Sequence, residues 1–160
     1  MILLIKTEGD RILREPVIDI IKGSEFMLNG KLQPLNVLIE AMFETMEKAN
    51  GIGLAAPQVG ISASLFVIDV EISTGVIFKK AFINPEIKDK FGAIISMEEG
   101  CLSIPGIHKN VSRYGSILLH YYDENWEKRF EFFHDMQARV IQHEYDHLNG
   151  ILFTDYVHDK

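Results

Sequence analysis

The stretch Asp135-Met-Gln-Ala-Arg-Val-Ile-Gln-His-Glu-Tyr-Asp-His-Leu-Asn-Gly150 carries a structural and a chemical signal at once. Its periodicity predicts a helix from Asp135 to Asn149, with Gly150 placed as a left-handed C-terminal stop. Inside it, His143-Glu144-Tyr145-Asp146-His147 is an HExxH pattern. Residues four apart lie one above the other on a helix, so His143 and His147 can offer imidazole nitrogens to one ion while Glu144 lies beside them. Met136 and Val140 continue the same face, which turns the histidines inward. HExxH also arises by chance on surface helices. Two histidines and a glutamate facing a core without an ion, however, would carry a desolvation penalty.

Working outward, the order of elements decides the fold class. Leu38, Ile39, Met42, Phe43 and Met46 fall at helical spacing between Leu35 and Ala49, and Asn50-Gly51 supplies a stop. Ser64–Val70 and Val76–Asn84 read as two strands around Ser73-Thr74-Gly75, and Ser116–Tyr122 and Lys128–Phe133 as a second pair across Asp123-Glu-Asn125. Helix, several strands, helix does not alternate as βαβ units would. The expectation is therefore α+β, with mainly antiparallel strands around a central metal-bearing helix. Gly51-Ile-Gly-Leu-Ala-Ala-Pro-Gln58 is expected as an irregular loop, and Ile18–Gln33 as a surface excursion.

The 160 residues fit one domain, with no repeat or linker, and 47% apolar residues spread along the chain exclude a disordered or disulfide-stapled chain. Charged residues follow Met1-Ile-Leu-Leu-Ile5 at once, so no export signal is read, and no apolar run is long enough to span a membrane. Cys101 is the only cysteine. These features point to the cytoplasm. A net charge of −7, with no clustered stripe of Lys or Arg, argues against direct nucleic-acid binding.

A catalytic zinc-type site normally takes three protein ligands and keeps one position open. The extended metzincin pattern would place its third histidine where this chain has Phe153. A thermolysin-like site needs a later glutamate, and none follows His147. The third ligand therefore lies upstream. Cys101, in Glu98-Glu-Gly-Cys-Leu-Ser-Ile-Pro105, is the candidate, since a thiolate binds borderline metals well. Taken alone, it reads rather as a buried free cysteine, and HExxH reverses that preference.

Three separated segments, Gly51–Gln58, Glu99-Gly-Cys-Leu-Ser103 and Gln142–His147, resemble the motifs of the peptide deformylases in order and spacing, and Gly9-Asp-Arg-Ile-Leu-Arg14 resembles the family's opening. The resemblance covers most of the chain. It implies a metal-dependent hydrolase that removes the formyl group from the formylmethionine of nascent polypeptides. By motif, Cys101, His143 and His147 would hold the metal, a water would take the fourth position, and Glu144 would be general base and acid. Gln58 and the backbone N–H of Leu102 would stabilise the oxyanion. Fe(II) would be the native ion, with zinc, nickel or cobalt possible.

An apolar slot for methionine would draw on Ile52, Met136 and Val140. Gly51 and Gly53, with Glu99 and Gly100, would flank an extended peptide, the glycines letting it pair as an added strand. Arg113 is placed to support the cysteine segment by pairing with Glu99. Two features depart from the family pattern. His108 stands where many members have arginine, and the chain stops at Lys160 without the longer basic tail of some members, so docking to the ribosome through such a tail is not expected; a transient ribosome association is. The alternatives kept are a small HExxH metallopeptidase and a non-catalytic or altered-specificity relative.

Overall fold

The computed structural model describes residues 1–157; the expectation about the chain's tail falls on residues outside that range. Seven strands and two helices follow in the order β1 (Glu25–Leu28), β2 (Lys31–Pro34), α1 (Leu35–Lys48), β3 (Gly53–Ala55), β4 (Leu65–Ser73), β5 (Val76–Cys101), β6 (Ile104–Tyr122), β7 (Lys128–His134) and α2 (Asp135–Leu148). β1 and β2 form a hairpin. The other five make one antiparallel sheet in the order β3-β4-β5-β6-β7. The α+β expectation holds.

β4 shows why both helices are needed. Leu65, Phe66, Val67 and Ile68 are all fully buried. Because side chains alternate along a strand, Leu65 and Val67 join the core built on Leu38, Met42 and Met46 of α1, while Phe66 and Ile68 join the core built on Ala138, Val140 and Ile141 of α2. One sheet thus carries a helix on each face. Burial of each such side chain stabilises the fold by about 1.5–3 kcal/mol.

Both helix ends match their sequence signals. Asn50 takes a positive φ of 58° after α1, and Gly150 one of 71° after α2. A Cβ on Gly150 would lie 2.7 Å from the carbonyl oxygen of Arg14, so close approach as well as φ demands glycine there.

Three expectations are corrected. The supposed irregular loop before Gln58 contains β3 and a 3-10 turn, Ala56–Val59, because its small residues let the backbone pair with β4. The supposed excursion Ile18–Gln33 contains most of the β1–β2 hairpin, which turns at Asn29-Gly30 and seals Leu28 into the α1 core. β5 and β6 run far beyond the segments expected, continuing as a two-stranded arm to a tip at Cys101–Ile104. Most of the added β5 residues are exposed on both faces, so they lack the one-sided hydrophobic alternation that marks a half-buried strand. Register shifts, one near Gly92 with φ of 80°, bend this arm.

Candidate metal centre and cleft

The arm and α2 converge on three donors. Ligand atoms of Cys101, His143 and His147 all lie within 4.8 Å of one another. Cys101 stands at the arm's tip, where pairing slips between Glu99 and Cys101, and the histidines stand on the inward face of α2. Cys101 Sγ is 3.3 Å from His147 Nε2. Thiolate and imidazole on one tetrahedral ion lie on the order of 3.5 Å apart, so the spacing of this pair suits a small divalent cation.

The imidazoles are oriented differently. His143 Nδ1 lies 2.8 Å from Glu99 Oε1, which leaves Nε2 toward the centre. Burial lowers the basicity of His143, but its hydrogen bonds to Cys101 and Glu99 outweigh that and raise its pKa to about 10. Burial and the neighbouring cationic groups push His147 the other way, toward the neutral ring that binds metal. His147 Nδ1 is buried with no partner, so its hydrogen-bonding interactions lie on the Nε2 side.

Glu99 is the hub of a buried charge network. Its carboxylate accepts from Arg113 Nε and Nη2 at 2.6 and 2.9 Å and from Arg139 Nη1 at 2.7 Å. Burial opposes its ionisation, yet hydrogen bonds from His143 and Arg113 bring its pKa down to about 2. Burial also works against the charge on Arg113, which Glu99 and Asp146 restore and strengthen. Arg113 Nη1 donates to Asp146 at 2.9 Å, and Tyr156 Oη donates to the same carboxylate at 2.8 Å. Arg139 further donates to the carbonyls of Val111 and Ile95, tying α2 to both strands of the arm.

Glu144 lies apart from this network. It is 3% exposed, its Oε1 has no partner, and Oε2 is 3.9 Å from His143 Nε2. Burial raises its pKa to about 7, against the pull of His143. A carboxylate so poised can take a proton near neutrality and give it back. Gly53 makes room for it, since a Cβ there would sit 2.5 Å from Glu144 Oε2. Gln58 is fixed by the 3-10 turn, where its Oε1 accepts from Ala55 N at 2.9 Å. Its amide nitrogen then points at Ser103 Oγ, 3.1 Å away, and at Cys101 Sγ, 3.5 Å away.

A cleft of about 400 Å³ opens over the centre. Cys101, His143, Glu144, Gln58 and Leu102 line it, as do Gly51, Ile52, Gly53, Glu99, Gly100, Met136, Val140 and His108. Every residue singled out from sequence is therefore at the cleft except His147, buried behind it at 1% exposure, and Arg113, buried in the network. Gly51 is packed tightly, with a Cβ position 2.6 Å from Leu102 Cδ1, and a Cβ on Gly100 would lie 2.8 Å from the ring of His108.

Sequence reasoning missed Arg139, Asp146, Tyr156 and Ser103. Arg139 had a legible signal, being a charged residue four before His143 on the inward face of α2. The others depend on partners far away in the chain.

The polypeptide deformylase family model matches residues 2–160. Peptide deformylases of Karelsulcia muelleri and Chlorobaculum tepidum are 44% and 48% identical, over 98% and 97% of this chain and 79% of each relative. A peptide deformylase from Synechococcus elongatus in complex with actinonin superposes with a TM-score of 0.85 at 40% identity, over 99% of this chain and 80% of that one. The Met-Ala-Ser-bound class I type b enzyme of Acinetobacter baumannii gives 0.86 at 30% identity, over 98% and 99%.

Proposed function

The chain belongs to the polypeptide deformylase family, and from that premise we propose how its own residues perform the reaction. The reaction is metal-dependent hydrolysis of the formyl group from the N-terminal formylmethionine of new polypeptides, releasing formate. One observation carries the assignment of roles: three donor atoms within 4.8 Å of one another, beside a buried carboxylate, at the floor of a cleft.

Cys101, His143 and His147 would hold the ion. When bound, a divalent ion there supplies a Lewis acid that makes a water acidic near neutral pH and withdraws electrons from the formyl oxygen. Glu144 takes a proton from the attacking water and delivers it to the departing amine. The Gln58 amide and the backbone N–H of Leu102 donate to the oxygen on which negative charge develops. Ala55 and Ser103 hold Gln58 in place for this, leaving the N–H directed at Cys101 Sγ to serve that oxygen. Arg113 and Arg139 fix Glu99, and Glu99 fixes the ring of His143.

The methionine side chain enters the apolar part of the cleft against Met136, Val140 and Ile52. The peptide runs extended between Gly51–Gly53 and Glu99–Gly100, where glycines expose the backbone for pairing. Met-Ala-Ser in the Acinetobacter relative supports an N-terminal methionyl peptide as occupant. Fe(II) is the native ion; a Cys/His/His set also accepts zinc, nickel or cobalt. No helix among the described residues is long and apolar enough to cross a membrane. One catalytic domain, acting in the cytoplasm with transient access to the ribosome, completes the reading.

Formate release from formyl-Met-Ala-Ser, measured beside cleavage of an unformylated peptide after anaerobic purification and elemental analysis, tests this. Formate release alone, with one ion per chain, is expected. Internal cleavage would instead favour a metallopeptidase, and binding without turnover a non-catalytic relative.

A further inference from the structure

Gln58 and Leu102, the two donors assigned to the developing oxyanion, stand on different elements. Gln58 belongs to the 3-10 turn Ala56–Val59, and Leu102 to the turn at the tip of the arm. A third segment, near the N terminus, joins them. Lys6 N donates to the carbonyl of Gln58 at 2.7 Å, and Glu8 N donates to the carbonyl of Ser103 at 2.8 Å. An extended backbone repeats every second residue, so the N–H groups of residues 6 and 8 can serve two elements from one side of one short stretch. Gln58 and Ser103 meet again through their side chains, Gln58 Nε2 donating to Ser103 Oγ at 3.1 Å. Two backbone bonds and one side-chain bond thus close a frame around the oxyanion residue. The stretch is held at both ends. Leu3 packs into the α1 core and its N–H donates to Thr45 Oγ1 at 2.8 Å, while Leu13, 1% exposed, lies in a 3-10 turn capped by Asp10.

We propose that residues 6–8 are a strap that fixes Gln58 relative to the arm tip, so that the Gln58 amide and the Leu102 N–H converge on one oxygen. The inference rests on the oxyanion roles proposed above. None of the three residues is among those lining the cleft, so Lys6 and Glu8 are positioning residues that act through Gln58 and Ser103. The working groups are backbone N–H groups. The side chains of Thr7 and Glu8 are exposed, and the residue types at these positions carry no part of the role. Oxyanion donors act where charge develops in the transition state, so misplacing them lowers kcat more than it weakens substrate binding.

Proline removes the donor, and alanine keeps it. In the metal-loaded enzyme acting on formyl-Met-Ala-Ser, Lys6→Pro is expected to lower kcat about 10–10²-fold, with KM changed within a few-fold and the metal content unchanged. Lys6→Ala restores the wild-type kcat. In a Gln58→Ala background, Lys6→Pro lowers kcat no further, because the strap acts through that side chain; a merely structural loss would add to it. Hydrogen exchange in the zinc-loaded wild type gives a reading that stands even where the proline variant folds poorly. The Lys6 and Glu8 amides are expected to exchange slowly although their segment lies at the surface. Lys6→Pro at the wild-type kcat beside a Gln58→Ala variant that is slow, Lys6→Ala as slow as Lys6→Pro, additive losses in the double variant, or unprotected Lys6 and Glu8 amides would each overturn the strap alone. Gln58→Ala at the wild-type kcat would overturn the oxyanion reading and the strap with it.

Discussion

α1 and α2 are both 14 residues long and cover opposite faces of the same sheet, yet they bury opposite chemistry. α1 seats Leu38, Ile39, Met42 and Met46 against β4, with Thr45 as its one buried polar side chain. α2 buries Arg139, Gln142, His143, Glu144, Asp146 and His147 along with its apolar residues. α1 supports the fold in the ordinary way, by apolar area removed from water. α2 must offset the desolvation of six polar or charged side chains, and does so with the Glu99–Arg113–Arg139–Asp146 network. Its inward face is built for reaction at the expense of stability.

Perturbing each helix separately should sharpen this contrast. The largest effect on rate is expected from Glu144→Ala, a loss of about 10²–10⁴-fold in kcat, with metal content unchanged because the ligands survive. Metal loss in that variant would move Glu144 into the ligand set. Arg113→Met should cost about 3–5 kcal/mol of stability by removing the buried cation that Glu99 and Asp146 share, read by denaturant unfolding. Unchanged stability would mean that the network contributes little to holding α2 down. Met42→Ala in α1 should cost about 2–5 kcal/mol while kcat of the folded fraction stays at its wild-type value. A large fall in kcat would break the separation of roles.

Acid unfolding offers a fourth comparison. Glu99 has a depressed pKa in the folded chain, so its pairing contributes stability above the unfolded carboxylate range. That contribution is lost as pH falls from about 4.5 toward its folded value of about 2. Glu99→Gln should flatten the stability profile in that window and Met42→Ala should leave its shape alone; the reverse outcome would refute the assignment. The smallest effect is expected from His108→Ala. Removing the ring over Gly100 should change KM for formylated peptides within a few-fold and leave kcat in place.

The same contrast explains what the sequence made legible. α1 was readable because its stripe is apolar, and α2 because HExxH carries a meaning independent of hydrophobicity. Cys101 could be reached by excluding later ligands, although its place at a hairpin tip could not, since the arm from 85 to 115 is largely exposed and lacks one-sided alternation. Gln58 was placed in a loop because Gly51–Gln58 has no side-chain period; its order comes from backbone pairing to β4. The Arg113–Glu99 pair was anticipated. The roles of Arg139, Asp146 and Tyr156 were not, because each is defined by a partner on a different element.

The split origin of the proposed metal ligands bears on how the enzyme is made. Synthesis from the N terminus delivers Cys101 well before His143 and His147, and domains settle as their segments become available. Until α2 docks, the thiol has no imidazole partners and no second cysteine in its own chain to bond with. Metal capture by these three donors would therefore be a late event in biogenesis. The interval before it is when the chain is most vulnerable to oxidation at Cys101.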